Sequence, residues 1–242
     1  MRVSCFKCAL RACGLFKPVT PAELSFINDI KSGHLTLPAG TEIIHADDDN
    51  PDLYTVYSGW AFRFKTLPDG RRQILNFLLP GDLLGLQAAM FDAAQHGIEA
   101  LTDIELCLLP RRKIWALFGQ RPELAFDVTW LGSREESYVD ENLMSVGRRS
   151  AAERIAALIV TLYKRADALG LVSKGTFAFP LNQQHLADAL GLSRVHTNKT
   201  MARLRRMGMF TQANGSLTLT NPRVLERIAQ HFDEEVALRP LV

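Results

Sequence analysis

The sequence predicts an α+β fold: an antiparallel β-barrel or jelly roll, then a long helix, then a small helical domain that ends in a hairpin. Three observations carry this reading. Between Leu35 and Leu109, short apolar or alternating runs are separated by turn residues about every ten positions, the texture of an all-β barrel. From about Pro122 to Val146 the pattern is that of one long helix. Beyond it, amphipathic stripes are punctuated by capping residues and close on Phe210–Thr220, two short runs around Asn214-Gly215, the dipeptide favoured in tight hairpins. At 242 residues, 47% hydrophobic and 22% charged, the chain is able to bury a substantial core, and its length suits two domains.

The N-terminal stretch MRVSCFKCALRACGLF carries three cysteines and basic residues, without the continuous apolar segment of a signal peptide. A cytosolic address with reduced thiols is therefore expected, and four cysteines there point to metal binding, catalysis or nothing rather than to disulfides. Thr20-Pro-Ala-Glu23 has the spacing of a capping box and opens a helix running to about Lys31. The strand candidates are Thr41–Ile44, Leu53–Ser58, Ala61–Thr66, Arg72–Leu79 and Glu99–Leu109. Their separators include Pro38-Ala-Gly40, the acidic Asp47–Asp52, Pro68-Asp-Gly70 and Pro80-Gly-Asp82. Along the long helix, one heptad phase places Leu124, Val128, Leu131 and Tyr138 on a seam suited to a homodimer, interrupted by Glu135 and Asn142; packing of the helix on its own barrel is the alternative. Gly147-Arg148-Arg149 reads as the hinge. The expected organisation is a cysteine-rich leader (1–19), a barrel (20–120), a dimerisation helix (121–146) and a basic C-terminal domain (147–242).

Charge is divided in the same way. Met1–Val146 holds 14 Lys and Arg against 19 Asp and Glu, a net of −5, while Gly147–Val242 holds 14 against 7, a net of +7. An acidic front and a basic back are the footprint of one domain meeting a polyanion while the other does something else. No apolar stretch reaches the length of a membrane helix, so no membrane partner is expected.

The basic half shows how it would meet that polyanion. Asn182 caps a first helix whose Leu186 and Leu190 face inward, Ala187 permits a close crossing, and Gly191 supplies the turn. Ser193 caps a second helix with Thr197, Thr200, Met201 and Leu204 at inward spacing and Arg194, Val195, Asn198 and Lys199 projecting from the other face. Guanidinium, amide, ammonium and a small apolar group match the donor and acceptor pattern of the DNA major groove. From Gly191 to Asn214 there are five Lys or Arg and no acid, so phosphate is met without repulsion. With the hairpin as a wing, this is a winged helix-turn-helix. The DNA-contacting set is expected to be Gln183, Gln184, Ser193, Arg194, Val195, Thr197, Asn198, Lys199 and Arg203.

The chain resembles the catabolite-activator and fumarate-nitrate-regulator (CRP/FNR) family of bacterial transcription factors over nearly its whole length. The residues that carry the resemblance are Pro38-Ala-Gly-Thr41, Leu53-Tyr-Thr-Val-Tyr-Ser-Gly59, the run Gln73–Gly85, Ala152-Glu-Arg154 and Gly191–Lys199. The resemblance implies a barrel of the cyclic-nucleotide-binding type, a dimer formed through the long helix, RNA polymerase as a partner, and a pseudo-palindromic promoter site. Members that bind cyclic AMP use an acidic residue and an Arg-Ser pair; the matching stretch here, Met90–Ala100, has no arginine, so no cyclic AMP is expected. His96 within it reads more simply as a satisfied histidine. Where relatives reading a TTGAT-type half-site place Glu, Ser and Arg, this chain has Val195, Asn198 and Lys199, so its operator is expected to differ.

The oxygen-sensing branch of that family holds a 4Fe-4S cluster with three clustered N-terminal cysteines and one barrel cysteine. Cys5, Cys8, Cys13 and Cys107 fall at matching places, with four residues rather than five before Cys13. Zinc, a direct thiol switch or a relic are the alternatives for these cysteines, and haem or a small metabolite for the sensor. If the cluster is present, the resemblance implies that oxygen loss of it releases the leader and weakens the dimer. No phosphate loop, nucleophile elbow or zinc-protease helix occurs, and Asp47-Asp-Asp-Asn50 lacks a calcium-loop pattern, so an enzyme is not expected.

Overall fold

The computed structural model describes residues 3–49, 51–91, 93–230 and 238–242; Asn50 of the acidic turn and Asp92 of the Met90–Ala100 stretch lie outside them. The chain forms two compact units, Met1–Lys65 with Phe77–Ser137 and Ala237–Val242, and Thr66–Asn76 with Tyr138–Val236.

In the first unit the leader makes two short 3-10 turns, Cys5–Lys7 and Ala9–Ala12, before helix α1 (Pro21–Ile30). Thr20 and Glu23 close the expected capping box, with Thr20 Oγ1 accepting from Glu23 N at 3.2 Å and Glu23 Oε2 accepting from Thr20 N at 2.7 Å. The barrel follows as strands β1 (Gly33–Leu37), β2 (Glu42–Ile44), β3 (Leu53–Ser58), β4 (Ala61–Thr66), β5 (Arg72–Leu78) and β6 (Leu83–Leu84), helix α2 (Leu86–Phe91), then β7 (Gly97–Ala100) and β8 (Ile104–Leu109). They pair in two four-stranded sheets, β1-β8-β3-β6 and β2-β7-β4-β5. Ile44, Val56, Ala61, Leu78, Ile98, Ile104 and Leu106, drawn from both sheets, form the core between them.

The expected strand Glu99–Leu109 is two strands, because polar side chains between them satisfy backbone elsewhere. Thr102 Oγ1 accepts from Trp60 N at 2.9 Å and Asp103 Oδ1 accepts from Ala39 N at 3.0 Å, which turns the chain and sends β7 and β8 into different sheets.

Helix α3 (Ile114–Gln120) and helix α4 (Pro122–Arg148) follow. Here the heptad reading is corrected. Leu124, Val128 and Leu131 are 0%, 1% and 5% exposed and pack in one core with Ile27, Ile30, Ile114 and Leu117 of the same unit, so they are not a dimer seam. Each such buried side chain contributes roughly 1.5–3 kcal/mol to this unit itself. Tyr138, the fourth, lies under the Arg165 guanidinium at 4.7 Å from its ring centroid. The two interruptions of the seam have partners: Glu135 Oε2 meets Arg63 Nη2 at 2.8 Å, and Asn142 Nδ2 donates to Leu75 O at 2.7 Å. Apolar side chains left on the surface of α4 are Phe126, Val139, Leu143 and Met144.

The second unit contains α5 (Ala151–Ala168), β9 (Thr176–Ala178), α6 (Gln183–Leu190), α7 (Arg194–Arg206), β10 (Phe210–Ala213), β11 (Ser216–Leu219) and α8 (Pro222–Ala229). Ser150 and Glu153 cap α5, and the neighbouring Arg154 donates through Nη1 to Leu190 O at 2.9 Å, so the Ala152-Glu-Arg154 run ties the start of α5 to the end of α6. β10 and β11 meet around Asn214 and Gly215, both at positive φ (49° and 71°), as a tight hairpin of the expected kind requires.

Candidate functional site

Helices α6 and α7 form a helix-turn-helix. Asn182 Oδ1 accepts from His185 N at 2.8 Å, and the His185 ring, which sequence reasoning did not single out, returns the favour to Asn182 N at 3.3 Å. Gly191 ends α6 in the left-handed conformation (φ 62°, ψ 38°), with its N–H on Ala187 O. Ser193 Oγ accepts from His196 N at 3.2 Å and starts α7. Leu186, Leu190, Thr200 and Leu204 bury the shared face.

The first turns of α7 therefore stand free. Arg194, Val195, Lys199 and Arg203 are exposed, Val195 at 64%, and Asn198 is half-buried. Gln183 and Gln184 are exposed at the start of α6, although the Gln184 amide is engaged by Asp188 Oδ1 at 2.5 Å. Thr197 is corrected: it is 0% exposed with Oγ1 unpartnered, one helical step round from the open face, and cannot reach a duplex. A cleft of about 550 Å³ opens between the start of α6, the outer face of α7 and the wing, lined by Asn182, Gln183, Arg194, Asn198, Arg205 and Gln212. Arg205 and Gln212 were not in the expected set; the acid-free run that ends at the hairpin was the signal that covers both.

The four cysteines lie in the first unit. All four cysteines are free thiols; Cys5 and Cys107 are buried, Cys8 and Cys13 partly so. Cys107, on β8, faces His34 on β1, with Nε2 3.3 Å from Sγ. Cys5 N donates to Asn28 Oδ1 at 3.2 Å, which anchors the leader on α1. Cys5, Cys8 and Cys107 lie close enough to one another and to Arg11 and Lys31 to share one electrostatic environment. Burial pushes the Cys107 thiol up, opposed by the Lys31 charge, and burial also lowers Arg11 and Lys31. Among the described residues, no three of His, Cys, Asp and Glu converge as ligands of a single metal ion. Arg11, Lys31 and His34 had gone unnoticed in the sequence, where nothing marks them as neighbours of the thiols.

Known proteins bear on this arrangement. Residues 34–121 match the cyclic nucleotide-binding domain and residues 153–228 the Crp-like helix-turn-helix domain. The chain is 30% identical to the nitrogen fixation regulation protein FixK of Bradyrhizobium diazoefficiens over 93% of both chains. The chain belongs to the CRP/FNR family of transcriptional regulators. Another relative of this CRP/FNR regulator is the transcriptional activator protein FnrL of Cereibacter sphaeroides, 28% identical over 85% of this chain and 83% of that one. Its fold matches the solved structure of FixK2 from Bradyrhizobium japonicum with a TM-score of 0.74 at 25% identity, over 81% of this chain and 96% of that one.

The regulator thus binds DNA through its C-terminal domain, and its relatives are regulators rather than enzymes. No helix among the described residues is long and apolar enough to cross a membrane.

Proposed function

We propose that this regulator is a cytoplasmic homodimer whose promoter binding responds to oxygen through a 4Fe-4S cluster held by Cys5, Cys8, Cys13 and Cys107. The observation that carries this reading is the gathering of Cys5, Cys8 and Cys107 around the cationic Arg11 and Lys31. Thiolate ligands and a net anionic centre need compensating charge when they leave water, and two largely buried cations supply it. A multi-iron cluster would take four thiols without their converging on one point, which a single zinc ion would demand.

When bound, such a cluster supplies an oxygen-labile centre. The protein's own residues do the rest. Asn28 holds the leader at Cys5, His34 holds Cys107 across the ladder, and the buried Lys31 ammonium lies within electrostatic reach of both thiols. The barrel is not read as a cyclic-nucleotide receptor. The Met90–Ala100 stretch offers no guanidinium, and Phe64 packs so tightly on Gly97 that a Cβ there would come within 2.5 Å of the ring.

At the other end, Arg194, Val195, Asn198 and Lys199 read one half-site, and a second copy reads the other about 10 bp away. Val195 replaces the acidic group that pairs with cytosine, so the operator departs from a TTGAT half-site. RNA polymerase is the partner once bound at the promoter.

The test is an absorption spectrum of anaerobically purified protein with iron and sulfide analysis. A broad shoulder at the blue-violet edge that bleaches in air, with iron and sulfide in equal amounts, is the expected result. A Soret band, or no iron, refutes the cluster and leaves the DNA-binding assignment intact.

A further inference from the structure

Leu238–Val242 returns to the first unit and lies against the cysteine leader. Arg239 N donates to Leu15 O at 3.0 Å and Arg239 O accepts from Lys17 N at 2.8 Å, a strand-like bridge to the leader. Arg11 Nη2 donates to Leu241 O at 3.1 Å. Val242 O accepts from Lys31 Nζ at 2.9 Å and from Thr55 Oγ1 at 2.5 Å. The Arg239 side chain turns inward: its Nη2 meets Asp82 Oδ1 at 2.7 Å and Gly81 O at 2.8 Å, and its guanidinium lies over the Phe16 ring at 5.5 Å.

This is a built site. Arg239, Leu241 and Val242 are 4%, 3% and 2% exposed, and the carboxylate and ammonium that receive them, Asp82 and Lys31, are buried too. A desolvated ion pair is favourable only in one geometry, so Arg239 and Asp82 set the register of the segment while Leu241 and Val242 supply apolar area. Asp82 is itself held by donation from Leu79 N to its other oxygen at 2.7 Å, so the barrel fixes the acceptor independently of the arginine. The leader is gripped at Arg11 and at Leu15–Lys17, on either side of Cys13, and Lys31 joins the seat to the environment of Cys5 and Cys107.

We propose that Leu238–Val242 is a built-in peptide ligand of the sensor unit, a strap that clamps the cysteine leader and governs access to its thiols. The site takes an extended peptide with an arginine two residues before a pair of aliphatic side chains. The segment holds the leader by backbone and side-chain hydrogen bonds within the first unit. The strap does not depend on a cluster being present.

Hydrogen exchange on the reduced, metal-free full-length protein tests the seat directly. The amides of Lys17 and Arg239 should exchange roughly a hundredfold more slowly than in an unstructured peptide. Thiol access is then read by the rate of alkylation in Arg239→Ala, and in Leu241→Ser, which keeps the ion pair intact should loss of the arginine unfold the barrel. Both should label Cys5 and Cys107 roughly tenfold faster than the wild-type chain while β8 amides stay protected. Free-peptide exchange at Arg239 in folded wild-type protein, or unchanged alkylation in folded Leu241→Ser, overturns the proposal.

Discussion

His34 and Cys107 are direct partners across the β1–β8 ladder, and the imidazole Nε2 comes within 3.3 Å of the thiol sulfur. A hydrogen bond to a ligand sulfur withdraws electron density and raises the potential of the centre it binds. On the proposed reading that Cys107 holds a 4Fe-4S cluster, His34→Leu should therefore lower the midpoint potential of reconstituted protein by roughly tens of millivolts, read by spectropotentiometric titration, with the iron content unchanged. An unaltered potential would remove His34 from the site.

Gly81 sits at φ +87° with the Phe16 ring where a Cβ would go, 2.4 Å from Cζ. Gly81→Ala meets both backbone strain and overpacking, and should cost about 2–4 kcal/mol in urea denaturation. Gly40 has a similar φ of +81° but open space around it, so Gly40→Ala should cost only about 1 kcal/mol. Equal losses would mean that Phe16 is not held against this turn.

Leu124 and Leu143 lie on the same helix with opposite environments, 0% and 71% exposed. Leu124→Ala should destabilise the chain by about 2–5 kcal/mol through the cavity it leaves. In the proposed homodimer, Leu143→Ala at this exposed apolar position should leave stability within about 0.5 kcal/mol but weaken self-association in sedimentation. If Leu124→Ala instead lowers only association, the packing of α4 on its own unit is wrong.

On α7, three substitutions separate roles. Asn198→Ala should cost about 1–3 kcal/mol on the preferred operator and relax its base preference, while Lys199→Ala should weaken all duplexes alike and reduce the salt slope by about 1. Thr197→Val removes a buried, unpartnered hydroxyl and should keep DNA affinity within about twofold while gaining about 1 kcal/mol of stability. Fluorescence anisotropy across a salt series, with a denaturation curve for each variant, distinguishes the three.

His96 is buried against Gln87, its Nδ1 3.0 Å from Oε1, and burial together with the Arg63 and Lys65 charges lowers its pKa from 6.5 to about 4. Between those values the unfolded chain binds the proton and the folded one does not. Stability should therefore be full above pH 6.5 and decline by roughly 3 kcal/mol on acidification towards pH 4. His96→Gln should flatten that decline in urea midpoints measured against pH; an unchanged slope would place the acid sensitivity elsewhere.

Much of this protein was legible in local chemistry. Capping pairs such as Thr20 with Glu23, the Asn214-Gly215 turn and the Gly191 cap act within a few residues, so their patterns mark α1, the wing and the helix-turn-helix turn directly. The exposed Arg194, Val195 and Lys199 followed from helical spacing, because α7 has one face to bury and the rest must face water.

What only the tertiary structure decided is which of two plausible partners each apolar stripe takes. A heptad pattern on α4 is equally compatible with a second copy or with α1 and α3, and Leu124, Val128 and Leu131 take the latter. Thr197 has the spacing of an inward residue, and the packing of α7 closes it off from DNA. The surroundings of the thiols could not be read at all from the order of residues. Cys5, Lys31, Cys107 and Val242 are brought together only when strands and termini far apart in the chain meet, and no local pattern records a contact of that kind.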